Sequence, residues 1–309
     1  MTGPILVPLD GDDVSTRAVP TALALARATG APLELVRVFD VPYALLTGRA
    51  GTLGVADAAA EARARAAREL EALAASLGPA GVEATATVLD GTDVAGTLLA
   101  HAERRDAAMV VMTTAARGAF GRAVVGSVAD AVMRAAGRPV VLVPPGGQAA
   151  EPPAAARPAA DATGRWRVLV PLDGSPLSLG AVEYLLSAYD DLPVEVVLFR
   201  AVVPNTLLGV VPPEAMIDPA GLGDEEAAAR EMLDAVAGRF AARGIPVRAE
   251  VARTSAPADA IVDAARAAGA HLVAMCTRGQ GGLRRLAVGS AAAAVVRGAP
   301  VPVLLLAPH

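Results

Sequence analysis

The residues Leu6 to Gly11, LVPLDG, recur letter for letter as Leu169 to Gly174. Val125-Gly126-Ser127 recurs as Val288-Gly289-Ser290, and both recurrences are separated by 163 residues. A constant offset over more than a hundred residues means that the whole intervening unit was duplicated with little net insertion. The chain must therefore fold as two copies of one domain, over 1–145 and 165–309. Each copy has enough residues for a core of its own. The segment between them, 146–164, is rich in Ala and Pro. It cannot bury a core and reads as a solvated tether.

Within copy one, Ile5 to Leu9 is a continuous apolar run of the kind buried on both faces of a parallel sheet. A helix is expected from Ser15 to Thr29, ended by Gly30 and Pro32. Strand two covers Leu33 to Phe39, a long amphipathic helix Asp57 to Leu77, and strand three Val82 to Leu89. A helix over Val94 to Arg104, strand four over Ala107 to Met112, a helix over Ser127 to Ala136 and strand five over Val140 to Val143 complete the unit.

Copy two repeats the order. Its strands are expected at Val168 to Leu172, Val194 to Ala201, Val247 to Val251, Leu272 to Met275 and Val303 to Leu306. Its helices fall at Ser178 to Tyr189, Asp224 to Arg243, Pro257 to Ala268 and Ser290 to Arg297. Strands alternating with helices require crossover connections and a parallel sheet covered on both faces. The fold class is therefore α/β: two tandem five-stranded parallel-sheet sandwiches.

Open parallel sheets bind ligands beyond the carboxyl ends of their strands, where the strand order reverses. Asp10 and Asp173 stand at the end of strand one in each copy. The loops after strand four, 113–126 and 276–289, lead into the N-terminus of the last helix. Free N–H groups and a partial positive charge there can hold an anion without lysine. A plainer reading stands beside this one. Gly-Ser before a helix also serves as a turn and cap, and an Asp after a strand also closes a turn.

Composition removes several function classes. All 27 basic side chains are arginine, so a P-loop lysine or a Schiff-base lysine is excluded. A formal charge of −5 argues against a nucleic-acid footprint. Apolar residues come in short blocks, and no run approaches a membrane span. The first residues lack the pattern of a secretory signal. The lone Cys276 suits a reducing compartment, so a cytoplasmic location is expected. Three histidines, His101, His271 and His309, form no metal-ligand pattern with it. Cys276 at a strand end reads as a small buried apolar residue, and His101 as a helix residue among polar neighbours.

The opening strand and turn in both copies, the segment GLRRLAVGS at Gly282 to Ser290 and the closing PVPVLLL together resemble the universal stress protein family in its tandem form. The resemblance covers both copies and implies a Rossmann-like fold of the adenine-nucleotide alpha-hydrolase type. Nucleotide-binding members have a G-x-x-G-x9-G-[S/T] motif after strand four. Copy two reads Cys276-Thr277-Arg278-Gly279, nine residues, then Gly289-Ser290, with Cys276 in place of the first glycine. By resemblance, Asp173 contacts the nucleoside, the backbone of Ala201 meets adenine, and Gly279, Gly289 and Ser290 hold the phosphates. Arg278, Arg284 and Arg285 are candidates for added charge. Copy one reads Thr113-Thr114-Ala115-Ala116 before Gly126-Ser127, so both early glycines are missing. Gly118 and Gly121 restore some freedom to that loop. Asp10, Val38, Gly126 and Ser127 are its candidate contacts.

The expected ligand is ATP, with Mg²⁺ as companion, held better by copy two. The expected role is a nucleotide-binding stress-response regulator without efficient catalysis. The alternatives are slow ATP hydrolysis or autophosphorylation, and a nucleotide-free interaction scaffold. Pairing of the apolar strand-five edges would join the two copies internally, with a homodimer and a protein partner as further expectations. The irregular segments 41–55 and 203–223 are candidate lids or partner surfaces.

Overall fold

The computed structural model describes residues 3–39, 53–114, 125–144, 165–188, 194–203, 219–277 and 289–307, with backbone alone at 53–56 and 219–224. Two compact units result, Met1–Pro145 and Gly146–His309. The first runs β1 (Ile5–Pro8), α1 (Asp13–Thr16), α2 (Ala18–Thr29), β2 (Leu33–Phe39), α3 (Leu53–Leu77) and β3 (Ala84–Asp90). It continues with α4 (Val94–Arg104), β4 (Met109–Thr113), α5 (Ser127–Ala135) and β5 (Val140–Val143). The strand order is β3-β2-β1-β4-β5, and these neighbours pair in parallel.

The second unit runs β6 (Trp166–Pro171), a 3₁₀ turn (Pro176–Leu179), α6 (Gly180–Ala188), β7 (Val194–Val202) and α7 (Pro219–Ala241). Then follow β8 (Val247–Arg253), α8 (Pro257–Ala267), β9 (Leu272–Cys276), α9 (Ser290–Gly298) and β10 (Val303–Leu306). Its order, β8-β7-β6-β9-β10, repeats that of the first unit, again in parallel. The register repeats as well. Ile5 lies opposite Leu33 and Met109, while Val168 lies opposite Val196 and Leu272. Each unit is the five-stranded parallel α/β sandwich expected from the sequence.

Continuous apolar strands are covered on both faces: Ile5, Leu6, Val7, Met109 and Val111 are all at most 1% exposed. Leu70 of α3 and Leu233 of α7 occupy matching core positions. Because the order reverses beside β1 and β6, a crevice opens at their carboxyl ends.

The helix expected over 15–29 is interrupted. Pro20 has no N–H to give to Thr16, so the helical ladder restarts at Ala18 with the proline inside its first turn. The matching stretch of unit two starts as a 3₁₀ turn with Pro176 at its first position and Ser175 as cap. Strand three begins at Ala84 rather than Val82, because the chain leaves Gly81 in a left-handed conformation and joins β2 only opposite Leu33. His101 is a larger correction. It lies in α4 as expected, yet it is only 7% exposed and its Nε2 is 2.8 Å from Glu34 Oε1. Glu34 Oε1 also accepts from Thr87 Oγ1 at 2.7 Å, and Oε2 from Arg105 Nε at 2.8 Å. Of the segments expected to be irregular, 41–55 and 203–223, residues 53–55 belong to the first turn of α3 and 219–223 to that of α7; 41–52, 204–218 and the tether lie outside the described residues.

Candidate functional site

The duplicated LVPLDG places an Asx turn at the carboxyl end of strand one in both units. Asp10 Oδ1 accepts from Asp12 N at 2.9 Å. Asp173 Oδ1 accepts from Ser175 N at 2.9 Å and from Ser175 Oγ at 2.6 Å. The turn-closing role of these carboxylates is thus realised in each copy. Gly11 and Gly174 follow with φ of 90° and 78°, a region that glycine enters without strain.

The opposite wall is formed by the end of strand four and the start of the last helix. Thr114 N donates to Val143 O at 3.0 Å, and Gly126 N returns to Thr114 O at 3.0 Å. In unit two, Thr277 N donates to Leu306 O at 2.9 Å, and Gly289 N returns to Thr277 O at 2.7 Å. Both loops are therefore pinned at the same two points. Gly126 and Gly289 are the N-cap residues of α5 and α9, with no side-chain cap. Ser127 and Ser290 are accordingly the first helical residues rather than caps, and both are exposed. The first N–H groups of such a helix lack intrahelical acceptors.

Beside Ser290 lies a cavity of about 250 Å³, also lined by Ala291 and by Ala256, Pro257, Ala258 and Asp259 at the start of α8. Two helix N-termini thus face one space, with a single carboxylate among its described lining residues. No cage of carboxylates is available for a metal: among the described residues no three His, Cys, Asp or Glu side chains gather to hold one.

β6 lies between β7 and β9. The carboxyl edge of unit two consequently gathers Asp173, Ala201, Cys276, Gly289 and Ser290 from adjacent strands and the loop pinned to them. Ala201 continues the register in which Pro171 faces Phe199. In unit one, Asp10, Val38, Gly126 and Ser127 occupy the equivalent positions. Gly279, Arg278, Arg284, Arg285, Ala115, Ala116, Gly118 and Gly121 lie outside the described residues. Cys276 is 6% exposed, and its sulfur would stand 2.9 Å from a Cβ placed on Gly180. Burial, reinforced by the Asp173 carboxylate, pushes its thiol up to about 11. The side chain packs against the start of α6, as a small apolar residue would.

Sequence reasoning passed over Arg37 and Arg200, which are also separated by 163 residues. Both guanidinium groups lie against the turn glycine. A Cβ on Gly11 would meet Arg37 Cζ at 3.2 Å, and one on Gly174 would meet Arg200 Nη1 at 3.1 Å. Burial lowers the Arg200 pKa, and the Asp173 charge opposes that shift. The signal that could have found them is an arginine at the same place in strand two of both copies, where one other charged residue, Glu34 or Glu195, interrupts the apolar run.

These features define a tandem α/β chain whose two units bring matching Asx turns and helix starts to the carboxyl edges of their strands. The model of the universal stress protein family matches residues 1–144 and again 165–307. The chain belongs to the universal stress protein family and carries two tandem domains of it. Universal stress protein MJ0531 of Methanocaldococcus jannaschii is 29% identical over 140 residues, which cover 45% of this chain and 80% of that protein. A universal stress protein from Archaeoglobus fulgidus aligns over 98% of both chains at 20% identity and a TM-score of 0.68. A structure described as a putative universal stress protein from Pseudomonas aeruginosa covers 99% of this chain and 93% of its own, at 16% identity and a TM-score of 0.62. At these identities the two structures speak for the fold. Among the described residues, no helix is long and apolar enough to cross a membrane.

Proposed function

We propose that this chain is an adenine-nucleotide-binding regulator of the stress response, without efficient catalysis, and that unit two is its principal site. The observation that carries this reading is the convergence of two helix N-termini and the exposed Ser290 on one cavity, at the same sheet edge as Asp173. Such an edge suits a phosphate chain on backbone N–H groups with a nucleoside beside the carboxylate. The reading assigns Gly289 and Ser290, with Gly279 by the family motif alone, to the phosphates of ATP, and Asp173 and the backbone of Ala201 to its nucleoside. With Asp259 the one carboxylate on the cavity wall among the described residues, Mg²⁺ would be held through the phosphates and water. Bound nucleotide would act by favouring the loop conformation that it contacts.

Unit one keeps Asp10, Val38, Gly126 and Ser127 but lacks both early loop glycines. It is proposed as the weaker site. A homodimer of the whole chain is proposed as a further assembly, and sedimentation of the purified protein checks it, with the mass of two chains as the expected result. A cytoplasmic location is proposed from the lone cysteine and the nucleotide ligand.

The test is to denature the purified protein and chromatograph the supernatant. Adenine nucleotide retained near one equivalent and released without hydrolysis supports the regulator. Phosphate release abolished by Asp173→Ala would replace it with an enzyme. Absence of nucleotide, with no binding on addition of ATP, would leave an interaction scaffold.

A further inference from the structure

Arg37 and Arg200 are equivalent, but they are not engaged alike. In both units the face of the guanidinium covers the turn glycine. The Cζ and both Nη atoms of Arg37 would lie 3.2–3.3 Å from a Cβ on Gly11, and those of Arg200 3.1–3.4 Å from one on Gly174. In both, Nε is buried with no hydrogen-bond partner among the described residues. The difference lies at Nη1. In unit one it donates to Glu69 Oε2 on α3 at 2.9 Å. In unit two it donates to Leu172 O, the carbonyl directly before Asp173, at 3.2 Å.

One substitution between the copies accompanies this difference. The offset of 163 sets Glu69 against Met232. That offset holds through the helix, because Ala66 and Leu70 are buried as are Ala229 and Leu233. It is also marked by an ion pair with its charges exchanged: Arg63–Asp90 at 2.9 Å becomes Glu226–Arg253 at 3.8 Å. With methionine in place of the carboxylate, the Arg200 guanidinium turns to the strand-one carbonyl and stands within the field of Asp173.

We propose that Arg200 is a positioning residue: it fixes the Leu172-Asp173-Gly174 turn so that the Asp173 carboxylate accepts from the ribose hydroxyls of the nucleotide, a task from which Glu69 diverts Arg37 in unit one. The inference rests on the nucleotide reading and deepens it. A carboxylate only accepts hydrogen bonds, and the ribose hydroxyls are the nucleoside donors a strand-end carboxylate commonly meets. Holding that carboxylate still makes ribose recognition directional, and letting it move weakens the ribose contact more than the phosphate contacts.

The test uses the full chain with Asp10→Ala to silence unit one, titrated calorimetrically with ATP and with 2′,3′-dideoxy-ATP. The Asp10→Ala protein is expected to prefer ATP by about tenfold or more, and Asp173→Asn to lose that preference. Arg200→Met and Met232→Glu are expected to reduce it to under about threefold while leaving dideoxy-ATP affinity nearly unchanged. Arg200→Lys is expected to restore part of it. Met232 is a partly exposed helix residue, so Met232→Glu tests the idea even if Arg200→Met fails to fold. Equal weakening toward both nucleotides in Arg200→Met would mean a mere staple and overturn the assignment. So would an unchanged preference in Met232→Glu, or equal affinity for both nucleotides in the Asp10→Ala protein. Those results leave nucleotide binding standing. Failure of the unsubstituted chain to bind ATP at all overturns the nucleotide reading and this assignment together.

Discussion

The buried Glu34 cluster of unit one gives a stability prediction that can be worked through in detail. The Glu34 side chain is 3% exposed and is held by Thr87, His101 and Arg105 at 2.7–2.8 Å. Burial pushes its carboxyl up, but the hydrogen bonds from Thr87, Arg105 and His101 outweigh this and hold it below the ordinary value of 4.5. His101→Ala removes a partner from a buried carboxylate and leaves a void, at a cost of about 2–4 kcal/mol. For a domain of this size that lowers the midpoint by about 6–12 °C. Unit two contains the natural replacement. At the positions of Glu34, His101 and Arg105 it has Val197, Ala264 and Ala268, and at that of Thr87 it has Glu250, paired with Arg248 at 3.1 Å. The triple variant Glu34→Val/His101→Ala/Arg105→Ala is therefore expected to cost less than His101→Ala alone, since an ion cluster replaced whole by apolar groups is near neutral. Urea unfolding followed by circular dichroism reads both units, while the fluorescence of the single tryptophan, Trp166 in β6, reads unit two. The sign with pH follows from the depressed carboxyl. Its contribution is fully present above 4.5 and is lost as pH falls below that value toward the folded-state pKa. The His101→Ala penalty should shrink over that acid range. Additive costs in the triple variant, or a penalty below about 0.5 kcal/mol at pH 7, would refute the reasoning.

Gly174→Ala is expected to destabilise more than Gly30→Ala in chemical denaturation. Both have positive φ, 78° and 70°, but only Gly174 lies against a guanidinium, and Gly30 has open space; the shared conformational cost is about 1–2 kcal/mol. Cys276, with its thiol pushed up to about 11, should react with an aromatic disulfide reagent at pH 8 only as fast as the protein opens; immediate stoichiometric labelling would contradict its packing against Gly180. Ser290→Ala at an exposed helix start is expected to change stability by less than about 0.5 kcal/mol while weakening ATP about three- to tenfold, read by calorimetry.

The elements were legible wherever a short apolar run alone decides the structure. β5 and β10, buried along their whole length, fall at their expected bounds, because a strand buried on both faces leaves no choice of period or face. Helix starts were less legible: the break before Ala18 depends on which residue receives a bond that Pro20 cannot make. The polar contacts escaped sequence reasoning because they join residues far apart in the chain. Glu34 sits within the largely apolar run of β2, and its His101 partner lies 67 residues away. Reading the copies against each other would have exposed it, since Glu34, His101 and Arg105 become apolar together. The same comparison exposes Arg37 and Arg200, where the shared arginine and the Glu69/Met232 exchange carry information that neither position holds alone. For the candidate site, the Asp turns and the Gly-Ser helix starts were legible from the repeat. The pinning of Gly126 and Gly289 to the strand-four threonines required the fold.

The central claim is that the two copies, alike in architecture, bind nucleotide unequally. Calorimetric titration of the full chain with ATP tests it directly, on the unsubstituted protein and on its Asp10→Ala and Asp173→Ala variants. One dominant site, kept in Asp10→Ala and lost in Asp173→Ala, is the predicted result. Two equal tight sites, or a dominant site that disappears with Asp10→Ala alone, would contradict it.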